Sequence, residues 1–278
     1  MADHELPSFD LVVATVDRVE ELGRFLSSLE RQTHPVFRVL LVDQNEDGRL
    51  DAVLAASGSL DVMRLSTARG LSQARNAALP AVRGGIVAFP DDDCIYPDDL
   101  LEGVARRFAD DPTLDGVTGR AVSADGRSSR SWKRDAAALT RENLWNRAIS
   151  FTIFLRAGVV ARVGAFDEQL GLGSRTDWAS GEEIDYLVRA IDGGARIEYD
   201  PELVVVHEDN ALPPAATGLR DGASIGYILR KHRYPLATVA RMFARPLVGA
   251  LLSVARRDGR RARFHLSTLR GRLVGYRS

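Results

Sequence analysis

Cysteine is almost absent from this chain, with Cys94 alone among 278 residues. One thiol excludes an internal disulfide and a cysteine-built zinc site, and it fits a reducing compartment. No uninterrupted apolar run reaches the ~18–20 residues that a membrane span requires. The first ten residues lack the basic and apolar halves of a signal peptide. These absences together lead to the expectation of a cytoplasmic protein. What is present is 45% apolar residues, enough to bury a core in one large domain, or in one domain with an appendage.

The net charge of -1 conceals a division. From Leu219 onward there are fourteen bases against two acids, Asp221 and Asp258, for a net +12, while the preceding residues carry 23 bases and 36 acids for a net -13. Asymmetry on this scale points the basic part towards an anionic surface. That part has few aromatics between its bases and no recognition motif, so nucleic acid is not the expected partner.

Over the first hundred residues, short β-rich runs alternate with helical patterns. Strands are predicted at 9–14, 37–43, 61–65 and 86–89, with helices at 20–32, 50–56, 71–82 and 98–109. Continuous apolar runs such as Val39-Leu40-Leu41-Val42 suit parallel strands covered on both faces, and such sheets bind ligands at the carboxyl ends of their strands. Asp17, Asp43 and Asp91-Asp92-Asp93 all fall just after strand ends. A strand at 114–120 follows, then a polar stretch at 123–134 with no legible role. Order returns at 150–155, in a helix at 157–163, a glycine-rich loop at 171–181 that suits a movable lid, a helix from about Glu182, and strands at 196–199 and 203–207. Three basic amphipathic helices, 219–231, 236–255 and 260–276, close the chain. In the second, Leu236, Val239, Met242, Phe243, Pro246, Leu247, Ala250, Leu251 and Val254 share one side, and Pro246 predicts a kink or a break.

Three adjacent carboxylates repel one another, an arrangement most easily sustained when a divalent cation neutralises part of it. Asp91-Asp92-Asp93 is therefore a candidate metal and phosphate site, although an isolated acidic triplet also serves as a helix-capping turn. Gly181-Glu182-Glu183-Ile184-Asp185 opens a helix. Carboxylates there can simply complement the helix dipole, but the preceding glycine-rich loop gives a substrate the access that a general base needs. His207 ends an apolar strand and is followed by Glu208 and Asp209; its imidazole suits the coordination of a metal held by Asp91 and Asp93. Arg75 and Asn76 suit contacts to a nucleotide phosphate or ribose, and Arg75 also reads as a surface helix residue.

The order of these segments resembles the inverting glycosyltransferases of family 2, over about residues 8–210. Val12-Val13-Ala14-Thr15-Val16-Asp17-Arg18 matches the family's first strand and loop, Val42-Asp43-Gln44-Asn45 its Val-Asp-Asp-Gly segment, and Gly70 through Asn76 its Gly…Ala-Arg-Asn segment. Asp91-Asp92-Asp93 takes the place of the Asp-x-Asp element, Val163-Gly164-Ala165-Phe166-Asp167-Glu168 that of Val-Gly-Gly-Phe-Asp-Glu, Gly181 through Asp185 that of Gly-Glu-Asp-x-Asp, and Val206-His207 the close of Val-Tyr-His.

The resemblance implies a GT-A fold: an α/β, Rossmann-like, mostly parallel central sheet flanked by helices. Residues 1–217 would form the catalytic domain, its nucleotide-binding half about 8–120 and its acceptor and base half 121–217, with 218–278 a basic helical extension. It implies that Thr15, Asp17, Asp43 and Arg75 bind the nucleotide of a nucleoside-diphosphate-sugar donor, a group to which Arg18, Gln44, Asn76 and Asp92 join from the matched segments. Asp91 and Asp93 would hold ribose and a divalent metal, Mg²⁺ or Mn²⁺, with His207 assisting, and Glu183 would be the base. Three departures stand out: Val16 in place of an aromatic residue, Gln44 in place of the second Asp, and Glu183 in place of Asp. Glu182 and Asp185 remain alternatives for the base, and Asp91 or Asp92 for the partner of Asp93. The implied acceptor is a glycan or lipid-linked glycan of the cell surface or exopolysaccharide. The basic helices suit peripheral contact with the anionic inner face of the membrane. Rival readings are a sugar nucleotidyltransferase and an inactive adaptor that binds membrane or nucleic acid.

Overall fold

A computed structural model describes residues 7–128, 132–208 and 214–278. Asp209 and part of the polar stretch at 123–134 lie outside the described residues. The fold divides into two compact units, the first comprising residues 1–69, 73–166 and 186–209, the second 70–72, 167–185 and 210–278.

The first unit is built on one eight-stranded sheet. Its strands are β1 (Phe9–Thr15), β2 (Phe37–Asp43), β3 (Val62–Ser66), β4 (Ile86–Ala88), β5 (Gly116–Val122), β6 (Ala137–Ala138), β7 (Ile153–Arg156) and β8 (Ile197–Val206), in the spatial order β3-β2-β1-β4-β7-β5-β8-β6. β1 through β4 pair in parallel, in register Phe9 with Phe37 and Ile86. The continuous apolar runs of β1 and β2 arise because those strands are covered on both faces. Helix α1 (Glu20–Leu29) places Leu22, Phe25, Leu26 and Leu29 at helical spacing on its buried side. Together with α4 (Leu100–Asp110), which buries Leu100, Leu101, Val104, Ala105 and Phe108, it shares one core with β1, β2 and β4.

The predicted helix at 50–56 is α2 (Asp51–Ala56), that at 157–163 is α5 (Ala157–Val163), and that at 71–82 is α3 (Leu71–Ala78) followed by a 3₁₀ turn, Leu79–Ala81. Two features differ from the sequence reading. β7 runs antiparallel between β4 and β5, a pairing set by contacts distant in sequence. The two strands expected at 196–199 and 203–207 are one, β8, because its partner β5 absorbs the irregularity by shifting register between Thr118 and Arg120.

The second unit carries the segment around Gly171 and Gly181, the first turn of α6 (Glu182–Asp192), and the helices α7 (Ala215–Lys231), α8 (Leu236–Ala255) and α9 (Gly259–Arg277). α7 and α9 pack through glycine. Gly218, Gly222 and Gly226 recur every fourth residue on α7; a Cβ at Gly222 or Gly226, or at Gly271 or Gly275 on α9, would collide with the opposing backbone, and one at Gly218 would press on the Thr268 and Phe264 side chains. Two helix backbones approach this closely only when the residues between them have no side chain.

α8 passes through Pro246 as a single helix, so of the kink or break expected there, the break does not occur. A proline lacks the N–H that would satisfy the carbonyl four residues earlier. Here the Arg272 guanidinium of α9 donates to that carbonyl, on Met242. Arg272 is 8% exposed, and its burial, with Arg245 nearby, pushes its pKa down to about 10.

The apolar side assigned to α8 from sequence divides in two. Val239, Met242, Pro246 and Ala250 are buried, whereas Leu236, Leu247, Leu251 and Val254 stand out to solvent with Val248 and Leu252. By length and composition α8 is also apolar enough to cross a membrane. This corrects the expectation that no segment would be: Arg241 and Arg245 interrupt the run without lowering its mean hydropathy enough.

Candidate active site

The carboxyl ends of the strands collect the polar residues of the first unit. β1 ends at Thr15, which is 1% exposed, and β2 ends at Asp43, which is 2% exposed. Asp91 follows β4 and bridges to Ala14. Just beyond the triplet, the Ile95 N–H donates to the Val206 carbonyl at 2.8 Å, and the Ile95 carbonyl accepts from the Val206 N–H at 3.0 Å. This pair fixes the end of β8 against the triplet and delivers His207 to it. His207 Nε2 lies 3.2 Å from Asp93 Oδ1, and its ring stacks on Phe151 at 4.7 Å with planes 7° apart.

The three carboxylates are divided among different partners. Arg18 Nη1 lies 2.8 Å from Asp92 Oδ1 and 2.5 Å from Asp93 Oδ2. Burial pushes the Asp92 carboxyl above its usual range, with Arg18 and Thr15 opposing the shift only in part. Asp93 is also penalised by burial, but His207 and Arg18 outweigh the penalty and hold it below the usual range. His207 is raised, chiefly by Asp93, against its own burial. Asp91 Oδ1 lies 3.4 Å from Arg75 Nη2 and accepts from Ser150 Oγ at 3.3 Å.

Arg75 is not a surface residue. It is 1% exposed, with its guanidinium 5.4 Å from the Phe166 ring centre and 5.9 Å from that of Phe89, a placement that offsets the cost of burying a cation.

A helix-capping turn does not need these partners, and one atom shows what the cluster fits. Asp93 Oδ1 is buried and accepts no hydrogen bond among the described residues. Ligand atoms of Asp91, Asp93 and His207 lie within 4.8 Å of one another. Two carboxylates and an imidazole with a buried oxygen left over suit a divalent cation of the Mg²⁺ or Mn²⁺ kind. Asp92, which is 5% exposed, is not in that set, and Asp91 is the carboxylate grouped with Asp93.

The remaining predicted residues of this unit take other positions. Asp17 has a positive φ of 58°; its N–H donates to Asn45 Oδ1 at 2.8 Å, and its carboxylate pairs with Arg49 at 2.5 Å and Arg69 at 2.7 Å. Asp43 pairs with Arg64 at 2.6 Å and accepts from both nitrogens of Asn45. Gln44 is 7% exposed and donates weakly to the Thr15 carbonyl at 3.4 Å. Asn76 exchanges two hydrogen bonds with the main chain of Phe166, at 3.0 and 2.7 Å. Its amide holds that turn in place. Sequence reasoning missed Arg64, Ser150 and Phe151, which belong to no charged or glycine-marked motif.

The second unit holds the other acidic cluster. Gly181, at φ 85°, turns the chain into α6 in a conformation that residues with a Cβ rarely adopt. Glu182 is 4% exposed and packs beside Gly171 and Ser72. Asp185 is fully buried and lies 2.6 Å from Lys231 Nζ and 2.8 Å from His232 Nε2. Glu183, between them, is half-buried, and of the three it alone has surface access.

The profile described as "Glycosyl transferase family 2" matches residues 10–166. A "Pre-mycofactocin glycosyltransferase" of Mycobacterium tuberculosis is 28% identical, over 95% of this chain and 56% of its own length. The chain thus spans about half the length of that relative. The "Glycosyltransferase AglE" of Haloferax volcanii is 24% identical over 73% of this chain and 67% of its own. Among solved structures, the mannosyltransferase PcManGT of Pyrobaculum calidifontis, in complex with GDP-Man and Mn²⁺, superimposes with a TM-score of 0.66 at 16% identity, covering 98% of this chain and 88% of its own. S. aureus TarS 1-349 with UDP-GlcNAc does so with a TM-score of 0.62 at 18% identity, covering 95% and 92%.

Proposed function

The chain belongs to glycosyl transferase family 2 and has the GT-A architecture, and on that premise we propose that it moves a sugar from a nucleoside-diphosphate donor to an acceptor hydroxyl with inversion. The observation that carries the metal-dependent form of this reading is the grouping of Asp91, Asp93 and His207, whose ligand atoms lie within 4.8 Å of one another, with Asp93 Oδ1 buried and lacking a partner in hydrogen-bond geometry among the described residues. The structural neighbour bound to GDP-Man and Mn²⁺ supports the same chemistry.

In this reading Asp91, Asp93 and His207 hold a divalent cation, which supplies neutralising charge for a departing diphosphate. Asp92 stays with Arg18 and keeps that guanidinium beside the donor. Thr15, Asp17, Asp43, Gln44 and Arg75 line the nucleotide side, and Asn76 orders the backbone behind them. Glu183 takes the acceptor proton as the hydroxyl oxygen attacks the anomeric carbon from the face opposite the leaving group. Glu182 and Asp185 are poorer bases because one is enclosed and the other is held by Lys231 and His232.

The acceptor in this reading is a glycan or lipid-linked glycan of the cell surface. The protein works at the inner face of the membrane, where the exposed leucines and valines of α8 and the surrounding arginines meet anionic lipid. A thermal-shift screen of UDP, GDP, dTDP and their sugars, with and without Mn²⁺, tests the central claim. Stabilisation by one nucleotide family only when metal is present is expected. Equal stabilisation without metal would remove the metal from the reading.

A further inference from the structure

Asp185, which is fully buried, and the partly exposed Lys231, His232 and Asp167 form a polar cluster that the proposed chemistry leaves unused. Lys231 Nζ lies 2.6 Å from both Asp167 Oδ2 and Asp185 Oδ1, and His232 Nε2 lies 2.8 Å from Asp185 Oδ1. Burial works against the Lys231 charge, but its hydrogen bonds to Asp167 and Asp185 outweigh that and raise its pKa. Lysine is scarce in this chain, occurring only at 133 and 231. Its compact ammonium has three donors and can meet two carboxylates at once.

The same end of α7 grips the loop that precedes α6. Trp178 stacks on Tyr227 at 4.0 Å with planes 15° apart. The Tyr227 hydroxyl reaches Gln169 Oε1 at 3.2 Å, and the Ser180 N–H donates to Ser224 Oγ at 3.3 Å. The segment that reads from sequence as a movable lid is thus fastened along one face of α7 at successive turns. Asp185 sits in the first turn of α6, two residues beyond Glu183. Fixing Asp185 therefore fixes the direction from which Glu183 leaves the helix.

We propose that Lys231 and His232 are positioning residues, which hold Asp185 and so aim Glu183 at the acceptor hydroxyl. This rests on the reading of Glu183 as the base. It makes α7 a working part of the acceptor half rather than an appendage.

The test uses Lys231→Met and Asp185→Asn in the full chain, each alone, together, and combined with Glu183→Gln. The readout is release of nucleoside diphosphate from UDP-glucose, UDP-N-acetylglucosamine and GDP-mannose with Mn²⁺. A base displaced by about 1 Å loses on the order of 100-fold in rate. Each single variant is expected to lower kcat about 10- to 100-fold on that basis while leaving the donor KM within about twofold, since the donor side is untouched. The two together should be no slower than either alone, and neither should slow Glu183→Gln further. Tryptic cleavage after Arg175 should quicken in parallel as the strap loosens.

An unchanged kcat in Lys231→Met, or the same fractional loss with and without Glu183→Gln, would overturn the proposal, because a merely structural role acts whether or not the base is present. Should the two variants fail to fold, His232→Gln carries the same comparison. Full turnover in Glu183→Gln, or no turnover of any of the three donors by the unaltered protein, would instead sink the underlying assignment, and this inference with it.

Discussion

His207 Nε2 lies 3.2 Å from Asp93 Oδ1, although the two residues are far apart in sequence. The contact exists because the Ile95 and Val206 backbones pair. The imidazole is thereby held against a buried carboxylate oxygen that has no partner in hydrogen-bond geometry among the described residues.

That relationship sets the first prediction. Asp93→Asn removes a charged ligand, and His207→Ala removes a neutral one that is also backed by Phe151. Asp93→Asn should abolish Mn²⁺-dependent stabilisation by nucleotide and lower turnover at least ~100-fold, with a milder ~10-fold rise in the Mn²⁺ requirement for His207→Ala. Titrating Mn²⁺ against the thermal shift checks both. A nucleotide shift in Asp93→Asn that still depends on Mn²⁺ would exclude this oxygen as a ligand.

The acidic cluster of α6 offers three carboxylates, and their surroundings distinguish them. Glu183→Gln should lower transfer by ~10²–10⁴-fold, the range that a positioned base contributes, while nucleotide binding stays near that of the unaltered protein. Glu182→Gln should retain most activity. Parallel initial-rate and binding measurements on the two variants decide the assignment, and the opposite ranking would move the base to Glu182.

Arg272 and Pro246 make a compensated pair within the C-terminal helices. Arg272→Met leaves the Met242 carbonyl buried without its donor, a loss of about 1–3 kcal/mol. Pro246→Ala supplies the missing helical N–H and should recover part of that loss, so the double variant is expected to be more stable than Arg272→Met alone. Urea denaturation of the four proteins forms the cycle, and strict additivity would show that the two residues are not coupled.

The outer face of α8 presents Leu247, Val248, Leu251 and Leu252 to solvent. Arg241, Arg245, Arg256 and Arg257 belong to the same helix or its end. Flotation with phosphatidylglycerol-containing vesicles should recover the protein, and neutral phosphatidylcholine vesicles should recover much less. Leu251→Glu should reduce recovery several-fold without changing donor turnover, because the Leu251 side chain is exposed and its replacement disturbs no packing. Equal recovery of Leu251→Glu would leave electrostatics alone as the basis of binding.

Much of the first unit was legible because its signals are local. Runs such as Leu11-Val12-Val13 and Val39-Leu40-Leu41-Val42 are apolar throughout, as strands covered on both faces must be, and their polar ends fall where the sheet gathers its chemistry. The position of β7 between β4 and β5 was not legible, since pairing partners distant in sequence leave no periodic trace. The glycines of α7 and α9 are spaced every fourth residue, yet amphipathic patterning alone does not say that two such stripes face each other. α8 misled for a related reason: an apolar stripe records what avoids water, and does not say whether a neighbouring helix or open solvent meets it.

The sequence by itself determined the family, the order of strands and helices through the first half, and the residue types at the strand ends, because hydrophobic periodicity and motif order are properties of the chain. Only the tertiary structure decided that Arg75 is buried under two aromatic rings, that Asp91 rather than Asp92 groups with Asp93 and His207, and that Asp185 is occupied by Lys231 and His232 while Glu183 keeps its access. The last two are choices among neighbouring like residues. The choice depends on which side chain a partner distant in sequence reaches, and spacing along the chain does not encode it.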